Sequence, residues 1–216
     1  MRNPAGSYRR VQKRIVSLIT LCALVTLTAC APLQNMFAPT PTDAPHGVAI
    51  DPPRAMPDFT LTNTEGKQMQ LSDLRGKAVI LFFGYTHCPD ICPFSLSQFI
   101  MIKKGLGEDA QKVNFVMVSV DGTRDTPEVL RNYMRAFDAT FIGLTGNEND
   151  VRQIGLNYGV HFEKQKPAGA NEAYAVAHTT YTYLLDSKGT WQMVFPFKTP
   201  IDSEVSDIQK ILAQTQ

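Results

Sequence analysis

An α/β sandwich around a mixed sheet is the fold class this sequence predicts, and three observations predict it. Residues 78–83 and 113–120 are continuously or almost continuously apolar, as strands covered on both faces must be. Between them Leu96, Phe99, Ile100 and Leu106 recur at helical spacing, which makes a strand, helix, strand unit. Two further strand-like stretches within 179–195 precede a last amphipathic segment carrying Val205, Ile208, Ile211 and Leu212.

The elements follow in order. Residues 58–71 alternate apolar and polar side chains on either side of Thr64-Glu65-Gly66-Lys67, the pattern of an N-terminal hairpin with a glycine turn. The run 78–83 is the first buried strand. Pro93 stands at the expected first helical position and Gly107 closes that helix; the run 113–120 follows as the second buried strand. Thr126-Pro127 caps a second helix with Val129, Leu130, Tyr133, Met134 and Phe137 on one face. Residues 149–158, closed by Gly159, make a third. Residues 164–173 read as a surface loop. Thr179–Leu185 and Thr190–Phe195, joined through Asp186-Ser187-Lys188-Gly189, form a late hairpin before the final helix. No internal repeat is visible. The pattern is that of a thioredoxin-like sandwich, a mixed central sheet flanked by helices, over residues 55–216.

The first 54 residues belong to other categories. Arg2, Arg9, Arg10, Lys13 and Arg14 precede an apolar run at 15–29 that ends in Leu27-Thr28-Ala29-Cys30. That run is short beside the roughly 20 residues a spanning helix needs. Its end resembles a bacterial lipobox, which implies a signal peptide over 1–29, cleavage before Cys30 and lipid on the Cys30 sulfur; an uncleaved N-terminal anchor is the alternative. Either way the domain is expected outside the cytoplasm at a membrane surface, in the bacterial envelope on the periplasmic side. Residues 30–54 hold Pro32, Pro39, Pro41, Pro45, Pro52 and Pro53 with almost no apolar periodicity and read as an extended tether. Fully extended it would span roughly 80 Å. Five of the 21 basic residues and none of the 20 acidic ones precede Cys30, so the processed chain is net acidic and its charge gives nucleic-acid binding no support. On that reading Cys22 falls in the removed run and Cys30 would carry lipid, which leaves Cys88 and Cys92 as the only thiols of the domain.

Cys88 and Cys92 sit at the mouth of the first buried strand, where a helix begins. That is the layout of a thioredoxin-type redox pair, with three intervening residues in place of two. A helix N-terminus stabilises a thiolate, and Cys92, immediately before Pro93, is placed to profit. The chemistry open to the pair is a redox-active dithiol, a structural disulfide closing a small loop, or a soft metal site. Two sulfurs suit Cu(I), and an added imidazole would let the site hold Cu(II) as well. Of the four histidines, His46 lies in the tether, His87 should point away from an ion bridging both sulfurs, and His161 reads as a surface residue. His178 heads the late strand near where a thioredoxin-like domain brings a loop against its Cys pair. On position alone, a ligand and a strand-end histidine both remain open.

Three stretches then carry a resemblance. Phe83-Gly84-Tyr85-Thr86-His87-Cys88-Pro89-Asp90-Ile91-Cys92-Pro93, Val120-Asp121-Gly122-Thr123-Arg124-Asp125-Thr126-Pro127 and residues 174–186 from Tyr174-Ala175-Val176-Ala177-His178 onward resemble, in order, the signature stretches of the Sco/SenC family. The resemblance implies a membrane-tethered, thioredoxin-fold copper protein that binds a single Cu(I) or Cu(II) and assists assembly of the CuA centre of cytochrome c oxidase, with subunit II as its partner. By matching positions the ligands would be Cys88, Cys92 and His178. Other envelope copper chaperones or thiol reductants would be further partners. Two departures stand out. Gly122 replaces the usual proline, which suggests a more flexible turn. Ala177 replaces a commonly polar residue, which puts in doubt the contact orienting the imidazole. Asp90 is read as solvated, and Asp121, Arg124 and Asp125 as an ion-paired, capped helix start rather than a docking surface.

Other functions fit less well. A thiol peroxidase would have Thr three residues before its Cys, whereas Thr86 stands two before Cys88. A blue-copper carrier needs a second His and an axial Met in a β-sandwich. The serious rival is a thiol-disulfide reductase keeping the CuA-site cysteines of subunit II, or other envelope thiols, reduced; such proteins usually have a proline facing the Cys pair, and none occurs from His178 through Phe195.

Overall fold

The computed structural model describes residues 47–166 and 174–214. Cys30, His46, the expected signal segment and most of the expected tether lie outside the described residues. An eight-stranded mixed sheet runs in the order β1-β10-β9-β4-β5-β6-β2-β3, built from β1 (Val48–Ala55), β2 (Thr60–Asn63), β3 (Gln68–Gln70), β4 (Ala78–Gly84), β5 (Val113–Ser119), β6 (Ile142–Thr145), β9 (Thr182–Leu185) and β10 (Thr190–Phe195). A separate two-stranded ribbon pairs β7 (Phe162–Gln165) with β8 (Ala175–His178). Helices α1 (Ile91–Leu106), α2 (Pro127–Arg135), α3 (Glu148–Asn157) and α4 (Ile201–Gln214) complete the thioredoxin-like sandwich.

Strand β4 is the axis. All seven of its residues are buried, paired in parallel with β5 from Ala78↔Val113 to Gly84↔Ser119 and antiparallel with β9 on the other side. A strand covered on both faces and both edges must be apolar throughout, and the sequence 78–83 is. Phe82, Phe83, Leu96, Phe99, Ile102, Leu130, Tyr183 and Phe195 fill the space around it. Helix α1 lies along α4. Gly105 allows that approach, because a Cβ there would lie 2.8 Å from Val205 Cγ2.

Several expectations hold. The N-terminal hairpin is β2 and β3, antiparallel, with Gly66 at φ 80° in the turn. Gly107 at φ 56° ends α1 and Gly159 at φ 68° follows α3, conformations that favour glycine. Thr126 Oγ1 accepts the Val129 N–H at 3.3 Å to cap α2, with Pro127 at its first position.

Four expectations need correction. The tether does not reach Arg54, because β1 starts at Val48 and pairs with β10. The register shifts between Ala49 and Arg54, the stretch that contains Pro52 and Pro53. Proline lacks the N–H a ladder needs and is tolerated on such an interrupted edge strand. Helix α1 begins at Ile91, which puts Cys92 inside its first turn. Lys164 and Gln165 belong to β7 rather than to a loop, and residues 167–173 lie outside the described residues. The late strand begins at Thr182, so His178 ends β8 of the ribbon instead of heading a strand of the main sheet.

Because β1 covers the edge of β10, sets Arg54 over Trp191 (5.6 Å to the ring centroid) and places the Gly47 amide on Asp207 Oδ2 at 3.1 Å, a chain starting at Met56 should be less stable than one starting at Gly47. A loss of about 2 kcal/mol would lower Tm by roughly 4–8 °C for a domain of this size. Thermal unfolding of the two chains checks this, and equal Tm values would return residues 48–55 to the tether.

Candidate metal centre

The site grows out of the end of β4. After Gly84 the chain turns, the Cys88 amide donating to the Tyr85 carbonyl at 3.3 Å, and α1 starts three residues later. Gly84 has no room for a side chain: a Cβ would lie 2.5 Å from Phe82 Cε1 and 3.0 Å from Cys92 Sγ. Cys92 is fully buried and Cys88 half-buried, and the Cys92 amide donates to Cys88 Sγ at 3.4 Å. From the ribbon, His178 brings Nε2 to 3.5 Å from Cys92 Sγ. The two sulfurs and an imidazole nitrogen lie within 4.8 Å of one another, and among the described residues no other three His, Cys, Asp or Glu donors converge in this way.

The imidazole is oriented by backbone. His178 Nδ1 lies 2.9 Å from the Thr179 carbonyl. A carbonyl can only accept, so Nδ1 carries the proton and, in the neutral ring, the Nε2 lone pair faces the sulfurs. Rings of Phe82 and Tyr85 wall it edge-on at 6.0 and 5.8 Å. The contact that Ala177 put in doubt is therefore supplied two residues later by the chain itself.

Both cysteines are free thiols here. The Cys88 thiol is drawn down to about 4, chiefly by a hydrogen bond from the Cys92 thiol; burial opposes this, while the amides of Asp90 and Cys92 add to it. Cys92 is pushed far up by donating that bond and by its burial. The reduced pair thus holds one thiolate, on Cys88. This corrects the expectation that Cys92 profits from the helix end. Lying within the first turn, Cys92 is desolvated, while its own amide and that of Asp90 are directed at Cys88.

The middle stretch ties the parts together. Asp125, fully buried, accepts Ser119 Oγ at 2.6 Å, Thr86 Oγ1 at 2.6 Å and the Thr86 amide at 2.9 Å, which fixes the loop before Cys88 to the end of β5. Asp121 pairs with Arg124 and accepts the Tyr174 hydroxyl at 2.7 Å. The turn between them is crowded rather than loose, since a Cβ on Gly122 would overlap the Gly146 carbonyl oxygen. Asp90 is exposed, as expected. His87 is exposed with Nδ1 turned to Thr86 Oγ1 at 3.0 Å, and exposed His161 only pairs its backbone with Thr179, so neither joins the trio. Sequence reasoning missed Tyr85, whose hydroxyl accepts the Val176 amide at 3.2 Å, and Arg152, which donates to the Phe162 carbonyl at 2.7 Å. Tyr85 stood inside the first signature stretch, but nothing in one sequence links it to Val176 across 91 residues.

Two sulfurs and one imidazole, with no carboxylate among them, form a donor set for a soft or borderline transition metal. Known proteins decide the family. The profile described as SCO1/SenC matches residues 48–213. The chain belongs to this family. The yeast mitochondrial protein SCO2 is 36% identical over 159 residues, 73% of this chain and 52% of its own length. Among solved structures, Bradyrhizobium japonicum ScoI with copper bound is 35% identical at a TM-score of 0.66, covering 73% of this chain and 99% of that one. A SCO1/SenC family lipoprotein from Bacillus anthracis is 26% identical at a TM-score of 0.64, covering 76% and 99%.

The unequal cysteines give a test by alkylation of the reduced, metal-free protein. Iodoacetamide should label Cys88 first, at a rate almost independent of pH down to about pH 5, whereas an ordinary thiol slows roughly tenfold per unit below 8.5. Cys92 should label only after unfolding. Peptide mapping that finds Cys92 labelled first would reverse the assignment.

Proposed function

We propose that this chain binds one copper ion through Cys88 Sγ, Cys92 Sγ and His178 Nε2 and acts in the assembly of cytochrome c oxidase, passing copper to the CuA centre of subunit II. The convergence of the three donors carries the reading, and membership of a family with copper-bound relatives supports it. Copper is cargo here. The sulfurs favour Cu(I), and the imidazole supplies the borderline donor that Cu(II) prefers. Half-exposed Cys88 gives a partner's thiolates a side from which to reach the ion, as transfer requires.

The same reading places the domain in the bacterial envelope, held to a membrane by lipid on Cys30. The lipoprotein relative supports this. One observation favours a second reading: the Cys88 thiolate beside a buried Cys92 thiol is arranged for disulfide reduction. Cys88 would attack a target disulfide and release one thiolate, then Cys92, losing its proton, would displace the other, leaving a Cys88–Cys92 disulfide and a reduced target.

His178→Ala should abolish the Cu(II) thiolate charge-transfer absorption while keeping much of the Cu(I) affinity. An unchanged Cu(II) spectrum would remove His178 from the site. In cells lacking the native protein under limiting copper, Cys88→Ser and His178→Ala should both fail to give a copper-loaded CuA centre. If His178→Ala restores it fully while Cys88→Ser does not, the reductase reading wins.

Cys30→Ala should abolish incorporation of labelled lipid; label retained in that variant would refute attachment at Cys30.

A further inference from the structure

The two halves of the site stand on different pieces of the fold. The sulfurs lie at the β4–α1 junction, in the rigid core. The imidazole stands on a ribbon of four-residue strands that shares no ladder with the main sheet and has Phe162 and Val176 as its buried hydrophobic residues. So little buried area makes the ribbon a low-stability unit, free to open without the core unless something fastens it.

Besides the Tyr85–Val176 and Arg152–Phe162 bonds, the fastening is a cluster built from the middle signature stretch. Arg124 lies against the face of the Tyr174 ring, 3.7 Å from guanidinium carbon to ring centroid, and donates through Nη1 to the Tyr174 carbonyl at 3.1 Å. Its Nε is fixed by buried Asp121, whose other oxygen accepts the Tyr174 hydroxyl at 2.7 Å. Lys164, from the other strand, sits over the same ring at 4.9 Å and pairs with Glu148. Tyr174 is the residue immediately before β8 and four before His178. A planar fork that pairs with a carboxylate, stacks on an aromatic ring and reaches a backbone carbonyl uses the whole chemistry of arginine, which lysine lacks.

We propose that Asp121, Arg124 and Tyr174 form a clamp that positions His178, so that its closure decides whether a bound ion sees two sulfurs and an imidazole or two sulfurs alone. The proposal rests on the copper reading above and adds to it a control over valence: a closed clamp favours Cu(II), and an open one leaves a two-sulfur site suited to Cu(I). None of the three residues touches the ion. They are positioning residues.

The test uses the full chain with Arg124→Ala, Arg124→Lys and Tyr174→Phe, beside His178→Ala. In the metal-free protein, amide exchange at residues 175–178 should quicken in the clamp variants while exchange in β4 and β5 stays unchanged. Cu(II) affinity of Arg124→Ala should fall about 10-fold or more, in the range typical for loss of a group that orients a ligand. Cu(I) affinity should change by less than about 3-fold, and added free imidazole should restore the Cu(II) absorption by taking the vacated place. Arg124→Lys keeps the charge opposite Asp121 but loses the fork, so it should resemble Arg124→Ala; it decides the matter if Arg124→Ala does not fold. Clamp variants that bind Cu(II) like the unaltered chain, or that lose Cu(I) and Cu(II) by the same factor, would overturn the clamp. If His178→Ala also keeps its Cu(II) spectrum, the ligand assignment has failed; if His178→Ala loses it and the clamp variants do not, the clamp alone has failed.

Discussion

Burial of β4 along its whole length is the constraint from which the rest of the molecule is laid out. With β5 and β9 holding both edges and apolar side chains covering both faces, the strand has one register open to it, because a one-residue slip would unseat every side chain. The end of β4 is therefore a fixed point. Gly84 brings the backbone close enough for Phe82 and Cys92 to pack against it, and the first turn of α1 must start where it does. The two sulfurs inherit their position from the hydrophobic core.

The third donor does not. His178 reaches the sulfurs from outside the main sheet, held by polar contacts that run through Tyr85, Arg124 and Arg152. Backbone supplies its orientation through the Thr179 carbonyl, so an alanine at 177 costs the ring no partner. A soft pair set in the core and a borderline donor on a lightly buried ribbon give one site two parts of different stiffness.

What the sequence made legible follows the same division. The apolar runs, the glycines with positive φ and the Thr126 cap are local signals, and each marked its element. The Cys pair was legible because strand, turn and helix start follow one another within fifteen residues. Long-range placement was not legible. Pro52 and Pro53 hid β1, since proline argues against a strand everywhere except an interrupted edge. β7 and β8 pair across a segment that reads as loop, so His178 looked like the head of a sheet strand. Which cysteine ionises depends on which accepts the other's thiol and which is buried, and composition carries no trace of that. Gly122 reads as added flexibility in the sequence, whereas in the fold the Gly146 carbonyl lies against it.

The unequal depth of the two cysteines sets a direction of traffic. Cys92 is buried within the first turn of α1, while Cys88 stands half-buried just before it. Any ion seated between them has a back wall and a front door. On the proposed reading, an ion held by the trio would be reached from the side of half-buried Cys88 and His178, with Cys92 behind it.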